Sequence, residues 1–257
     1  MASSDWDPAL YARFREERTQ PFRDLLALVR PSPGMRVVDL GCGTGELTEV
    51  LHRHLGARET LGIDASEAML AAATARAGGG LRFERGDIVR FGAERAWDLV
   101  FSNAALQWIP AHGEVLARLA AALTDGGQLA VQLPANEDHP SQRVAAEVAA
   151  EEPFRTALGG DLYPLTVLAP EAYALLLARL GFRAQHVRLQ VYLHALGSRA
   201  EVVKFMQGSL LTDYRRRLSA DLYQRFFARY RERLLARLED TRPHLYAFKR
   251  ILAWAAR

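Results

Sequence analysis

Val37-Val38-Asp39-Leu40-Gly41-Cys42-Gly43-Thr44-Gly45 is the stretch that decides the fold. Two branched apolar residues lead into an acid, and three glycines follow at every second position. Glu46-Leu47-Thr48-Glu49-Val50-Leu51 then continues with a helical pattern. The reading is a buried strand, a tight turn and a helix start. Glycine lets the backbone take positive φ and approach a bound ligand closely. The spacing is G-x-G-x-G, whereas the dinucleotide fingerprint is G-x-G-x-x-G.

Working outward, strands are predicted at 35–40, 59–64, 81–85, 97–102, 127–133, 182–193 and 245–255. The last of these fits strand or helix by periodicity, and a strand suits the sheet. Helices are predicted at 7–29 (with Pro21 as a candidate break), 45–56, 66–77 with Ser66 as N-cap, 112–123, 143–152 and 170–180. Two or three more lie in 199–237. Strands alternating with helices imply an α/β fold: a doubly wound, seven-stranded, mostly parallel sheet with helices on both faces. The expected organisation is an N-terminal helical lid at 1–30 and a cofactor-binding α/β core at 31–135. Residues 136–257 complete the sheet and carry an inserted helical substrate cap.

Composition sets outer bounds. The 257 residues are 49% hydrophobic and 25% charged, ordinary for a globular protein. No apolar run approaches the ~18 residues that span a bilayer. The N-terminal stretch is acidic and lacks an apolar signal core, so a cytoplasmic chain with no membrane partner is expected. One cysteine, Cys42, excludes an intramolecular disulfide. No metal is expected, since His52 and His54 are two apart on a helix and face apart. From Arg199 onward 14 Arg/Lys stand against 6 Asp/Glu. That excess suits either an anionic partner or a solvated helix face.

In an open parallel sheet, ligands bind beyond the carboxyl ends of the strands. Asp39 and the glycines close the first strand and Asp64 the second, about twenty residues on, where an acid reaches a ribose diol. Asp87 in Gly86-Asp87-Ile88 follows the third, and Asn103 the fourth. The order points to a nucleoside-type cofactor. NAD fits poorly: the glycine spacing disagrees, and neither Lys204 nor Lys249 has Tyr four residues earlier. There is no G-x-S-x-G elbow and no P-loop lysine. Cys42 reads as a small residue fitting the bend.

Asp39-Leu40-Gly41-Cys42-Gly43-Thr44-Gly45, Gly62-Ile63-Asp64 and Gly86-Asp87-Ile88 together resemble the class I S-adenosylmethionine-dependent methyltransferases. A narrower resemblance, to the trans-aconitate methyltransferases, spans nearly the whole chain. It rests on Trp6-Asp7-Pro8 with Tyr11, Glu17-Arg18-Thr19-Gln20-Pro21 and Asn103-Ala104-Ala105-Leu106-Gln107-Trp108. Val131-Gln132-Leu133-Pro134, Gly208 and Tyr214 complete it. It implies methyl transfer to a carboxylate of a small polycarboxylic acid, with S-adenosyl-L-homocysteine as by-product. The sequence departs from that family at Leu165-Thr166, where Tyr-Asp is usual, and at Leu211-Thr212-Asp213-Tyr214, where Leu-Arg-Pro-Tyr is usual.

The resemblance assigns cofactor contacts to Asp39, Gly41, Gly43, Gly45, Asp64, Ala65, Asp87, Ile88, Asn103, Tyr11 and Arg18. Substrate candidates are Tyr11, Arg18, Gln107, Trp108, Gln132, Tyr192, His194, Lys204 and Tyr214, with Asn136 beside Gln132. No general base is expected, because a carboxylate is already ionised at neutral pH. Trp6 reads equally as part of the lid or as a staple to the core, and Trp108 as site border or wall. The alternatives are carboxyl methylation of another acid, either a carrier-bound malonyl thioester or a natural-product acid, and a cofactor-binding module without turnover. A monomer without a nucleic-acid partner is expected.

Overall fold

The computed structural model describes residues 15–160 and 167–257, with side chains from Thr19 onward in the first helix. Trp6, Tyr11, the Arg18 side chain and Leu165-Thr166 lie outside what is described. In chain order the described elements are α1 (Arg15–Leu26), β1 (Arg36–Leu40), α2 (Glu46–Leu55), β2 (Glu59–Asp64), α3 (Glu67–Thr74), β3 (Leu81–Arg85), β4 (Trp97–Asn103), α4 (His112–Ala121) and β5 (Leu123–Pro134). There follow α5 (Pro140–Ala149), α6 (Phe154–Ala157), α7 (Pro170–Arg179), β6 (Ala184–Leu196), α8 (Arg199–Gln207), α9 (Leu211–Arg217), α10 (Ala220–Arg237) and β7 (His244–Ala256).

The seven strands form one sheet in the order β3-β2-β1-β4-β5-β7-β6. β1 to β5 are mutually parallel, and β7 runs antiparallel to β5. The Arg183 N–H donates to Ala256 O, so β6 starts where β7 ends. The chain winds outward in both directions from β1 and β4. A crevice therefore opens between the carboxyl ends of those two strands, where open α/β sheets take ligands.

Two compact units divide the chain. One comprises Arg18–Ala135, Thr166–Gln190 and Arg250–Arg257 and contains the parallel strands. Its sheet is buried on both faces. Val38, Leu40, Val100, Leu129, Val131 and Leu133 pack on one side. Val37, Leu99, Phe101 and Ala130 pack on the other, against Phe22, Leu25 and Leu26 of α1. The described residues of the second unit fall within Asn136–Leu165 and Val191–Lys249. An aromatic core of Phe154, Phe205, Tyr214, Phe226, Tyr230, Tyr246 and Phe248 holds it together.

One boundary differs from expectation and two open readings close, each for a physical reason. Pro21 does not end α1, which runs through to Leu26. A proline inside a helix costs about 3 kcal/mol. Phe22, Leu25 and Leu26 are almost fully buried, and each contributes about 1.5–3 kcal/mol, so packing outweighs the lost hydrogen bond. β5 begins at Leu123, before Gly126-Gly127, because its pairing with β4 jumps register between Trp97↔Leu123 and Leu99↔Gln128. The segment that fitted strand or helix is β7, fixed as a strand by its antiparallel partner β5.

The Phe22 ring meets Phe101 edge-on at 5.5 Å. Phe22→Ala should therefore cost about 3–5 kcal/mol, read as a lower urea midpoint. An unchanged midpoint would contradict this packing of α1.

Candidate active site

The glycine turn is built by three different constraints. Gly41, at φ +83°, is pressed against the loop after β4: a Cβ there would lie 2.2 Å from the Ala105 Cβ. Gly45, at φ +72°, sits under the Phe83 ring, where a Cβ would lie 2.7 Å from the ring edge. Gly43, at φ +56°, faces open space within 4 Å. The outer two glycines are thus required by packing. The middle one leaves a cradle that a Cβ would begin to fill.

The acids at the strand ends organise this turn. Asp64 accepts from the Gly43 N–H at 2.9 Å and from the Ser66 N–H at 2.8 Å. It thereby ties the end of β2 to the centre of the glycine turn, and Ala65 beside it is exposed. Asp39 is buried and accepts from the Thr48 hydroxyl at 2.6 Å. Burial pushes its carboxyl up to about 7; the Thr48 bond opposes this and Asp64 adds to it. Asp87 accepts from the Val89 N–H at 2.8 Å and stays exposed, with Ile88 half-buried beside it. Cys42 is buried, and burial, with Asp39 and Asp64 nearby, pushes its thiol well up. That environment disfavours the thiolate a nucleophile requires.

The loop after β4 carries the other wall. Ala104 holds φ +54° although it is not glycine, a strained conformation of the kind that gathers at functional sites. Its N–H donates to Gln132 O at 2.9 Å, and its carbonyl accepts from Gln107 Nε2 at 2.7 Å. Trp108 is 41% exposed. His112, not singled out from sequence, braces this loop by donating from Nε2 to Leu106 O at 2.9 Å while the Tyr173 hydroxyl lies 2.5 Å from Nδ1. Burial holds the imidazole below its usual pKa, so it serves as a neutral brace.

Register places four polar residues on one sheet face, on four adjacent strands. Asp39 pairs with Phe101, and Asn103 pairs with Gln132. Gln132 pairs with Leu252, and Pro134 with Arg250. All positions differ by even steps, so Asp39, Asn103, Gln132 and Arg250 share a face and climb stepwise across the carboxyl end of the sheet. Asn103 Oδ1 is buried with no hydrogen-bond partner among the described residues, an acceptor suited to a cationic or amino group.

The remaining candidates have surroundings of their own. Asn136 is occupied: its amide donates to Lys249 O at 2.9 Å and accepts from Lys249 N at 2.7 Å, extending the strand pairing. That backbone duty replaces the ligand role expected of it. In the second unit Tyr214 is a core residue, 1% exposed and stacked on Phe226 at 4.7 Å, and burial raises its phenol. His194 packs near Phe205 and Phe248. Tyr192 is half-buried, and Lys204 is exposed. Thr212 bonds to Ser209 O, and Asp213 holds Arg216 and Arg217 at 2.6 and 3.4 Å. Three arginines of the basic helix are paired: Arg229 and Arg233 meet Glu151, and Arg237 meets Glu147.

Residues 37–127 match the methyltransferase domain family. The chain is 43% identical over 258 residues to trans-aconitate 2-methyltransferase of Deinococcus radiodurans, covering 98% of each chain. It is 40% identical to the same-named protein of Variovorax paradoxus, covering 97% and 95%. The chain belongs to the trans-aconitate 2-methyltransferase family. It is an S-adenosyl-L-methionine-dependent methyltransferase. Solved structures agree on the fold. One is an S-adenosylmethionine-dependent methyltransferase of Mesorhizobium loti with TM-score 0.53 and 22% identity, covering 91% of this chain and 96% of that one. Another is the YcgJ protein of a Bacillus, with TM-score 0.60 and 14% identity, covering 93% and 98%. The open cradle at Gly43 and the buried Asn103 acceptor fit such a cofactor. No described helix is long and apolar enough to cross a membrane.

Gly41→Ala and Gly43→Ala should behave differently in thermal melts with and without S-adenosylhomocysteine. Gly43→Ala carries about 1–2 kcal/mol of left-handed strain, lowering Tm by a few degrees, and loses the ligand-induced rise. Gly41→Ala, with its Cβ forced into Ala105, loses far more stability. Equal melts would contradict the packing.

Asp39 gives a pH signature. Its folded pKa lies above its ordinary value, so its contribution is fully present below about pH 4 and is lost as pH rises through about 7. Asp39→Asn should gain on the wild type between pH 4 and 7, by at most on the order of 4 kcal/mol, and the gain should level off above. A pH-independent difference in denaturant midpoints would contradict this.

Proposed function

We propose that the protein methylates a carboxylate of trans-aconitate or a closely similar polycarboxylic acid, giving a methyl ester and S-adenosyl-L-homocysteine. The observation that carries this reading is the extent of the likeness. Relatives named trans-aconitate 2-methyltransferase match over nearly the whole chain, well beyond the 37–127 domain common to methyltransferases.

When bound, S-adenosyl-L-methionine supplies a methyl group activated by its positive sulfur. The acceptor carboxylate, ionised at neutral pH, attacks in line without a base. The protein's task is therefore to bind, align and dry the two partners, and a near-attack geometry lowers the barrier by itself. Asp64 offers its carboxylate to the ribose hydroxyls, and Asp87 with Ile88 borders the base. Asp39, Gly41, Gly43, Gly45 and Asn103 line the methionine side. Gln107 and Trp108 border the methyl-transfer face, where excluded water strengthens electrostatic positioning. Tyr11 and Arg18 remain assigned by the family motif alone.

A carrier-bound acceptor is less favoured. Docking an acidic carrier needs an available basic face, and Arg229, Arg233 and Arg237 are engaged by Glu151 and Glu147. We propose that the protein is a cytoplasmic monomer.

A labelled-methyl assay across free and carrier-bound acids should yield a base-labile ester on trans-aconitate. Label on no free polycarboxylate would contradict the reading. Asp64→Ala should weaken S-adenosylhomocysteine binding tenfold or more, since hydrogen bonds to a charged group are lost. Equal affinity by calorimetry would remove Asp64 from the ribose.

A further inference from the structure

We propose that Arg250 and Gln132 form a carboxylate-binding subsite for the acceptor acid. This rests on the functional reading above and extends it to residues that no motif of the sequence assigned together. Gln132 is fully buried on β5 and Arg250 is 4% exposed on β7. The Arg250 Nη1 donates to Gln132 Oε1 at 3.2 Å. That bond fixes the amide, because a flipped amide would turn its NH2 onto the guanidinium. Gln132 Nε2 is thereby left as a buried donor with no partner among the described residues. A buried donor without an acceptor is costly to maintain, and the donor's neighbour is a cation. An anionic oxygen satisfies that donor beside a positive charge, and a guanidinium with an adjacent amide N–H matches the planar shape of a carboxylate.

The position selects the acceptor over the cofactor as the source of that carboxylate. Asp39 and Asn103, at the crevice between β1 and β4, form the near end of the polar row. Gln132 lies one strand beyond Asn103, and Arg250 lies on the strand after that. A carboxylate held there belongs to a second ligand lying along the same face. A polycarboxylic acid has one carboxylate to anchor and another to present to the methyl group. Anchoring of this kind favours di- and tri-acids over mono-acids.

The test uses the full chain as Gln132→Glu, Gln132→Met and Arg250→Lys. Each is titrated by calorimetry with trans-aconitate in the presence of S-adenosylhomocysteine, and with S-adenosylhomocysteine alone. Turnover is measured alongside. Gln132→Glu keeps the shape, pairs its own carboxylate with Arg250 and repels the ligand. Its acid affinity should fall at least 30-fold and its KM rise in step, with S-adenosylhomocysteine affinity within twofold and Tm not lowered. Gln132→Met should lose less, having no repulsion. Arg250→Lys keeps the charge and loses the fork, raising KM about tenfold with a smaller effect on kcat. If Arg250→Lys fails to fold, the Gln132 pair still decides. Unchanged acid affinity in Gln132→Glu overturns the subsite. An equal loss of S-adenosylhomocysteine affinity also overturns it, by giving the pair to the cofactor, and so does a wild type that binds no polycarboxylate. If the wild type binds trans-aconitate without methylating it, the functional reading fails while the binding difference still judges the subsite.

Discussion

The approach of Gly41 to Ala105 is the constraint on which the site depends. One methyl group at position 41 would occupy the space that Ala105 already fills. The turns after β1 and β4 are therefore locked at contact distance at the point where the sheet's winding reverses. Gly41 and Cys42 both donate their N–H groups to Ile63 O, and the Ser102 hydroxyl donates to Leu40 O. The crevice floor is thus bonded to strands on either side. Left-handed strain at Ala104 is the local cost of carrying Asn103 and Ala105 around this bend. It is offset by a double anchor to Gln132 and Gln107.

A reaction that needs no base places its demands elsewhere. The row of Asp39, Asn103, Gln132 and Arg250, each on its own strand, supplies fixed polar groups. Strands are stiff supports, so these groups keep their spacing whatever the loops do. Methyl transfer by alignment calls for that rigidity, because a misplacement near 1 Å can cost two orders of magnitude in rate.

The sheet was legible because its signals are local. β2 and β3 fall at 59–64 and 81–85 as read, and Ser66 caps α3 by accepting from Met69 N at 3.4 Å. Alternating glycines and strand-end acids needed no tertiary information. What escaped depends on pairing across long separations. Arg250 reaches Gln132 over 118 residues only because β7 inserts antiparallel beside β5. A signal existed: Arg250 shares parity with Leu252 and Trp254, at the head of the apolar run 251–256. Asn136 read as a site residue because its amide type suits ligands, but both ends of that amide bond to the backbone of Lys249. Tyr214 carried a family motif and proved to be an aromatic core residue, since helix periodicity alone does not tell a lining face from a packed one. Pro21 stays inside α1 because local propensity is outweighed by the burial of Phe22 and Leu25.

The central claim is that the β1/β4 crevice seats the cofactor. Hydrogen exchange with and without S-adenosylhomocysteine tests it most directly, because it reads backbone amides segment by segment. The account predicts new protection at 41–45, 64–66, 87–89 and 103–108, with none at 97–98 and 123–127, at the opposite ends of β4 and β5. Protection confined to those opposite ends, or none at 41–45, would contradict it.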